Sequence, residues 1–199
     1  MKIYDISKEV FRCKVYPDDP TPKKMKMKSI EKGDPYNLSV FAMCAHNGTH
    51  IDAPSHFLEE GINVDEIALD SFIGMEYVAE HNGIVTGADA FKMLEKAKEI
   101  SADAAKRILI KGNAEVSEDA AAVFAYSQIA LLGNESQTVG PENAPMKVHQ
   151  ILLAAGVVLL EGIRLTDVKE GAYFLNAAPL NLAGAEGSPC RAVLIDFEK

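Results

Sequence analysis

Arg107-Ile-Leu-Ile-Lys111-Gly-Asn113, then Ser117-Glu-Asp-Ala-Ala-Ala-Val-Phe124, then Gln128-Ile-Ala-Leu-Leu132-Gly-Asn134, is the run that decides the fold. Arg107 to Lys111 is a short apolar stretch closed by a Gly-Asn turn signal, which reads as a buried strand. Ser117 is a helix cap, Glu118 and Asp119 suit the positive end of a helix, and the alanines carry the helix to Phe124. Gln128 to Leu132 reads as a second buried strand with the same Gly-Asn ending. Helices placed between short apolar strands specify an α/β domain.

The alternation continues in both directions. Upstream, Asp89 to Ile100 sets Phe91, Met93, Leu94 and Ala97 near one face of a helix. Ser101 reads as the N-cap of a second short helix, Ala102 to Arg107, and Met75 to Ala79 as a strand. Downstream, Val148 to Ala155 is helical, Gly156 stops it, and Val157 to Leu160 is a strand. Ala192 to Ile195 is a last strand. Residues 1–35, rich in Pro, Lys and Asp, read as a strand or two joined by a long loop, with Val10 to Val15 as an apolar segment. Asn37 to His46 reads as a strand leading into a special loop. No Gly- or Ser-rich linker divides the chain, so residues 1–199 are expected to form one domain.

Composition narrows the partners. The formal net charge is −9, so the chain has no broad attraction to nucleic acid or to anionic lipid. Its one basic cluster, Lys23, Lys24, Lys26 and Lys28, reads as the solvated face of a strand or loop. No stretch approaches the ~20 apolar residues of a membrane helix. Three cysteines, Cys13, Cys44 and Cys190, fit no metal or redox spacing, and the odd count suits a reducing compartment. The N-terminus carries no apolar run of signal-peptide type. A cytoplasmic enzyme or binding protein with a small-molecule partner is expected.

The chemistry concentrates in His46-Asn-Gly-Thr-His50-Ile-Asp52-Ala-Pro-Ser-His56, which holds three of the five histidines. Imidazole with carboxylate suits Zn²⁺ or Mn²⁺ better than Mg²⁺ or Ca²⁺. Three protein ligands and an open position are the pattern of a catalytic centre, where the ion lowers the pKa of water from about 15.7 toward about 7. Gly48 allows a tight turn, and Pro54 argues against a continuous helix. His50 and Asp52, two residues apart, share a face if the chain is extended. Thr49 could orient a ligand from behind. Cys44 reads as a buried apolar residue of the preceding strand. His81, in Glu80-His-Asn-Gly83, reads as an ordinary turn histidine. His149 and Glu161 sit on a helix and at the end of the next strand. Taken alone they read most simply as a surface histidine and a strand-end carboxylate.

The spacing His46-x-Gly-Thr-His50-x-Asp52-x-Pro-x-His56, with the later His149 and Glu161, resembles the signature of the cyclase family of metal hydrolases. That family includes bacterial kynurenine formamidase and isatin hydrolase. The similarity runs from Tyr4-Asp5-Ile6-Ser7 to Gly187-Ser-Pro-Cys-Arg191. It implies a compact α/β domain of the swivelling β/β/α type, in dimers or tetramers, with two divalent ions. His46, His50 and Asp52 would hold one ion, and Asp52, His149 and Glu161 the other, with Zn²⁺ favoured over Mn²⁺. His56 would be the general acid and base. The kynurenine formamidases carry Trp-Pro-Gly-Asp where this chain has Tyr16-Pro17-Asp18-Asp19. Tyr16 then stands as the ring-stacking, substrate-binding residue, and the missing glycine suggests a different loop path. Hydrolysis of an amide or formamide is the expected reaction. Opening of a cyclic amide, ester hydrolysis and aldol-type cyclisation remain open on the same site. A binding protein with a structural metal is the alternative outside enzymes. No Gly-x-Ser-x-Gly elbow supports a serine nucleophile.

Overall fold

The computed structural model describes residues 1–197. The first half of the chain contributes β1 (Lys2–Asp5), β2 (Lys23–Lys28), β3 (Leu38–Ala42), β4 (His50–Asp52), β5 (Ile73–Glu80) and β6 (Gly83–Val85). Then come α1 (Gly87–Ile100), β7 (Arg107–Lys111), β8 (Ala114–Val116), α2 (Glu118–Tyr126) and β9 (Leu131–Asn134). The chain finishes with α3 (Met146–Ala154), β10 (Val158–Glu161), β11 (Gly171–Asn176), β12 (Gly187–Pro189) and β13 (Val193–Asp196). Nine strands form one sheet in the order β1-β13-β11-β5-β7-β9-β10-β4-β12. The centre, β5, β7, β9 and β10, is parallel, and the flanks are antiparallel. Helices α1, α2 and α3 are the crossovers between successive parallel strands, as parallel pairing requires.

Why the central strands are apolar without alternation is visible in their packing. Ile108, Ile110, Leu132 and Leu159 face the helices, against Leu94, Phe124 and Leu152. Leu109, Leu131, Val158 and Leu160 face a second core with Ile6, Ile51, Phe72 and Leu194. A strand buried on both faces has no polar side to display. Past β1 the chain reaches the far flank of the sheet, where Ser7 bridges Ile163 and the Arg164 N–H donates to the Ile6 carbonyl at 2.8 Å. The sheet is therefore curled around the second core.

The local signals mostly hold. Ser117 caps α2, its hydroxyl accepting from the Ala120 N–H at 3.3 Å. The strand or two expected in residues 1–35 are β1 and β2, joined by a long loop that holds Val10 to Val15. Two expectations are corrected. Ser101 ends α1 instead of starting a helix, and its hydroxyl accepts the Ala104 N–H of a single 3₁₀ turn. Gln128 has φ 50, a turn conformation that delays β9 to Leu131. The lysine cluster lies on β2, whose hairpin with β3 stands outside the main sheet and leaves Met25, Met27, Leu38 and Val40 exposed. No helix among the described residues is long and apolar enough to cross a membrane.

One core residue is out of character. Glu76 of β5 is 0% exposed, pairs in register with Tyr173, and neither carboxylate oxygen has a hydrogen-bond partner. Burial pushes its pKa well above the ordinary carboxylate range. A carboxyl whose pKa rises on folding supports the fold below its unfolded pKa and withdraws that support as pH climbs past it. Glu76→Gln cannot ionise. Its melting temperature is expected to exceed that of the parent at pH 8, by the equivalent of about 1–3 kcal/mol. The gap should close toward pH 4. Parallel melting curves across that range would show that Glu76 carries no such penalty.

Candidate active site

The ladder between β4 and β10 sets the site. His50 lies opposite Glu161, Ile51 opposite Leu160, and Asp52 opposite Leu159. Ile51 and Leu160 both enter the second core, so the alternating residues His50, Asp52 and Glu161 face the helix side. There α3 lies above them and lowers His149 from its first turns. Gly48, at φ 72, turns the chain into β4, and a side chain there would press on Val10. Thr49 fixes the backbone instead of a ligand side chain. Its hydroxyl donates to the Gly162 carbonyl at 2.6 Å and accepts the Lys8 N–H at 2.8 Å. Pro54 opens a 3₁₀ turn that ends at His56.

Two sets of donors converge. His46, His50 and Asp52 offer ligand atoms within 4.8 Å of one another, and so do Asp52, His149 and Glu161. Asp52 belongs to both. His46 Nδ1 is 2.8 Å from Asp52 Oδ1, and His50 Nε2 is 3.4 Å from the same oxygen. His149 Nε2 is 3.1 Å from Glu161 Oε1 and 3.6 Å from Asp52 Oδ2. The surface reading of His149 is thus wrong, for it is 2% exposed, while Glu161 does end its strand and is equally buried. Backbone groups aim the ligands. His50 Nδ1 lies 3.1 Å from the Gly48 carbonyl, and His149 Nδ1 lies 2.8 Å from that of Pro145. Donation from Nδ1 to those carbonyls leaves each Nε2 lone pair directed into the cluster. The Val139 N–H donates to Glu161 Oε1 at 2.8 Å.

The electrostatics ask for a cation. Burial opposes charge on Asp52, yet His46 and His50 hold its pKa well below the ordinary value. Burial likewise opposes charge on His50, yet hydrogen bonds to Asp52 and Glu161 lift its pKa to about 10. Without an ion, buried imidazoles must supply the positive charge that these carboxylates require. The fit extends to the backbone. Gly187 of β12 lies against His46, and a Cβ there would stand 2.6 Å from His46 Cε1. The nitrogen and oxygen donor set is that of a divalent transition-metal site.

These ligands floor a cavity of about 220 Å³. His56 lies on its wall, stacked on His46 with centroids 4.0 Å apart, and is in neither donor set. Burial pushes the His56 pKa below its ordinary value. Tyr16 also lines the cavity, with its hydroxyl donating to the Glu142 carbonyl at 2.7 Å. In the loop after Tyr16, Asp18 takes φ 70, the left-handed conformation usual for glycine. Cys44 is only partly buried, with Sγ 3.7 Å from Asp19 Oδ2. His81 stays in its turn, Nε2 3.1 Å from the Ile84 carbonyl. Sequence reasoning missed Phe57, Gln137, Thr138 and Pro145 on the cavity wall, and Glu186, whose Oε1 is 3.4 Å from His46 Nε2. Only proximity to the motif, or to the Gly133-Asn134 strand end, pointed toward them.

A parallel-centred sheet with a shared-carboxylate donor cluster at the end of β10 defines a metal-dependent hydrolase. The chain belongs to the cyclase family: residues 4–141 match the family model described as "Putative cyclase". It is 32% identical over 174 residues to a kynurenine formamidase of Salinibacter ruber, covering 80% of each chain. A solved structure, described as a predicted metal-dependent hydrolase from Bacillus stearothermophilus, is 30% identical. It superposes with a TM-score of 0.77, covering 97% of both chains. Isatin hydrolase A from Labrenzia aggregata shares the fold at 18% identity, with a TM-score of 0.79 over 97% of this chain and 93% of that one.

Proposed function

We propose that this chain hydrolyses the C–N bond of a small aryl amide or formamide with the help of divalent cations. The observation that carries the reading is a carboxylate, Asp52, common to two donor sets on the floor of one cavity, with His56 on the wall. In this reading His46, His50 and Asp52 hold one ion and Asp52, His149 and Glu161 a second. Zn²⁺ suits the donors first and Mn²⁺ second. Bound there, the cations supply Lewis acidity, which acidifies water and steadies negative charge on the carbonyl oxygen.

The protein moves the proton. His56, kept neutral by burial, accepts one from the attacking water. The water oxygen bonds to the carbonyl carbon, the C–N bond breaks, and His56 passes the proton to the leaving nitrogen. The products are the carboxylic acid and the amine. Tyr16 and Phe57 offer ring faces for the aryl group. The Salinibacter relative favours a formamide substrate. A cyclic amide is the second reading, favoured by the small cavity and the fold shared with isatin hydrolase A.

Formanilide and isatin assays, run beside metal analysis, test the proposal. The purified protein is expected to contain zinc or manganese and to hydrolyse one of the two. Chelation should remove more than 90% of that activity (about tenfold or more, the scale of one disrupted metal contact), and added Zn²⁺ or Mn²⁺ should restore it. Full activity in protein shown to be free of metal would overturn the reading.

A further inference from the structure

Beyond the donor sets and His56, the one carboxylate lining the cavity is Asp19, and none of the lining residues is lysine or arginine. Asp19 is held in place by a turn, its N–H donating to the Tyr16 carbonyl at 3.1 Å, with the Cys44 thiol beside its carboxylate. The surface recess that continues from Tyr16 adds Asp18, Glu115 and Glu142. Lys14, the base at this rim, is already paired with Glu142 at 2.6 Å. The four lysines of β2 line neither the cavity nor the recess.

A second, independent feature marks the same cavity as a place for a ligand. Thr138 lines it, is 3% exposed, and its hydroxyl has no hydrogen-bond partner. Gln137 Oε1 beside it is also buried and unpartnered. Buried polar atoms without partners are uncommon and call for a group that satisfies them. The Val139 N–H holds Glu161, so this segment flanks the donor cluster. Thr138 and Gln137 therefore share the cavity wall with the donor cluster.

We infer that the site selects aryl amides whose end remote from the reacting carbonyl is cationic or uncharged, that Asp19 makes this selection, and that Thr138 holds the body of the substrate. The inference rests on the amide-hydrolase reading of the site. An ammonium at the remote end would face the half-buried Asp19 carboxylate on the cavity wall. An anion there meets Asp19 and an acidic rim where Lys14 is already paired with Glu142. Thr138 can donate to or accept from the amide group, which has both an oxygen and an N–H.

The test uses metal-loaded protein and three formamides of one shape: formanilide, its 4-aminomethyl derivative and its 4-sulfonate. The cationic substrate is expected to show a kcat/KM about tenfold above the anionic one, with formanilide between them. In Asp19→Asn the cationic and neutral substrates should converge, and added salt should have the same effect. Thr138→Val should raise KM severalfold for all three. Calorimetric binding of 4-(aminomethyl)aniline against 4-aminobenzenesulfonate gives a readout free of turnover. If no formamide is cleaved but the cationic amine still binds tighter, the reaction is wrong and the charge selection stands. If the formamides are cleaved with no charge order, or Asp19→Asn leaves the order intact, the selection is overturned and the reaction stands.

Discussion

Asp52→Asn is expected to strip the protein of nearly all bound metal and to lower turnover by at least on the order of 10²–10³, the scale lost with one major electrostatic stabiliser. No other residue belongs to both donor sets. The amide keeps the shape and loses the charge. The partners of that charge are close: His46 Nδ1 at 2.8 Å, His50 Nε2 at 3.4 Å and His149 Nε2 at 3.6 Å. Three imidazoles that settle around one anion then face a neutral dipole in a site 1% exposed. His149→Ala is the control, because it touches one set only. It should leave about half the metal, whereas Asp52→Asn leaves almost none. Metal analysis after dialysis distinguishes them, and a normal metal content in Asp52→Asn would show that the carboxylate bridges nothing.

The second large effect is expected at His56. His56→Ala should retain metal and lose about 10²–10⁴ in kcat, the usual worth of a positioned acid–base group. The separation follows from geometry. His56 packs on the outer face of the His46 ring at 4.0 Å and contributes no donor to either set. His50→Ala should behave in the opposite way, losing metal first and activity as a consequence. Equal metal and equal activity in the two variants would dissolve the division between ligand and proton carrier.

Much of this was legible in the sequence, and the gaps have physical causes. The parallel strands announced themselves because two cores demand unbroken apolar runs, as in Arg107 to Lys111. Helix α1 was found but begun late, although Thr86 and Asp89 form a capping box that could have fixed its start. Strand β11 was missed altogether. Its Gly171–Asn176 sequence mixes half-buried, buried and exposed positions, so only its pairing with β5 and β13 defines it. The first donor set was legible because its three members lie within seven residues. His149 and Glu161 were legible only through likeness to a family, since their burial depends on the return of α3 onto β10. Thr138 and Gln137 carried no signal beyond their place after the Gly133-Asn134 strand end, because a lone polar residue there looks like any other loop.

Strand β4 is three residues long, and its middle residue, Ile51, enters the second core while His50 and Asp52 on either side face the donor cluster. A slip of one position against β10 would drive an imidazole and a carboxylate into hydrocarbon and leave isoleucine where ions should bind. The penalty for that error falls on the fold as a whole. Correct docking of this short strand and readiness for catalysis are therefore one event, and a misaligned yet stably folded form of the enzyme has no place to exist.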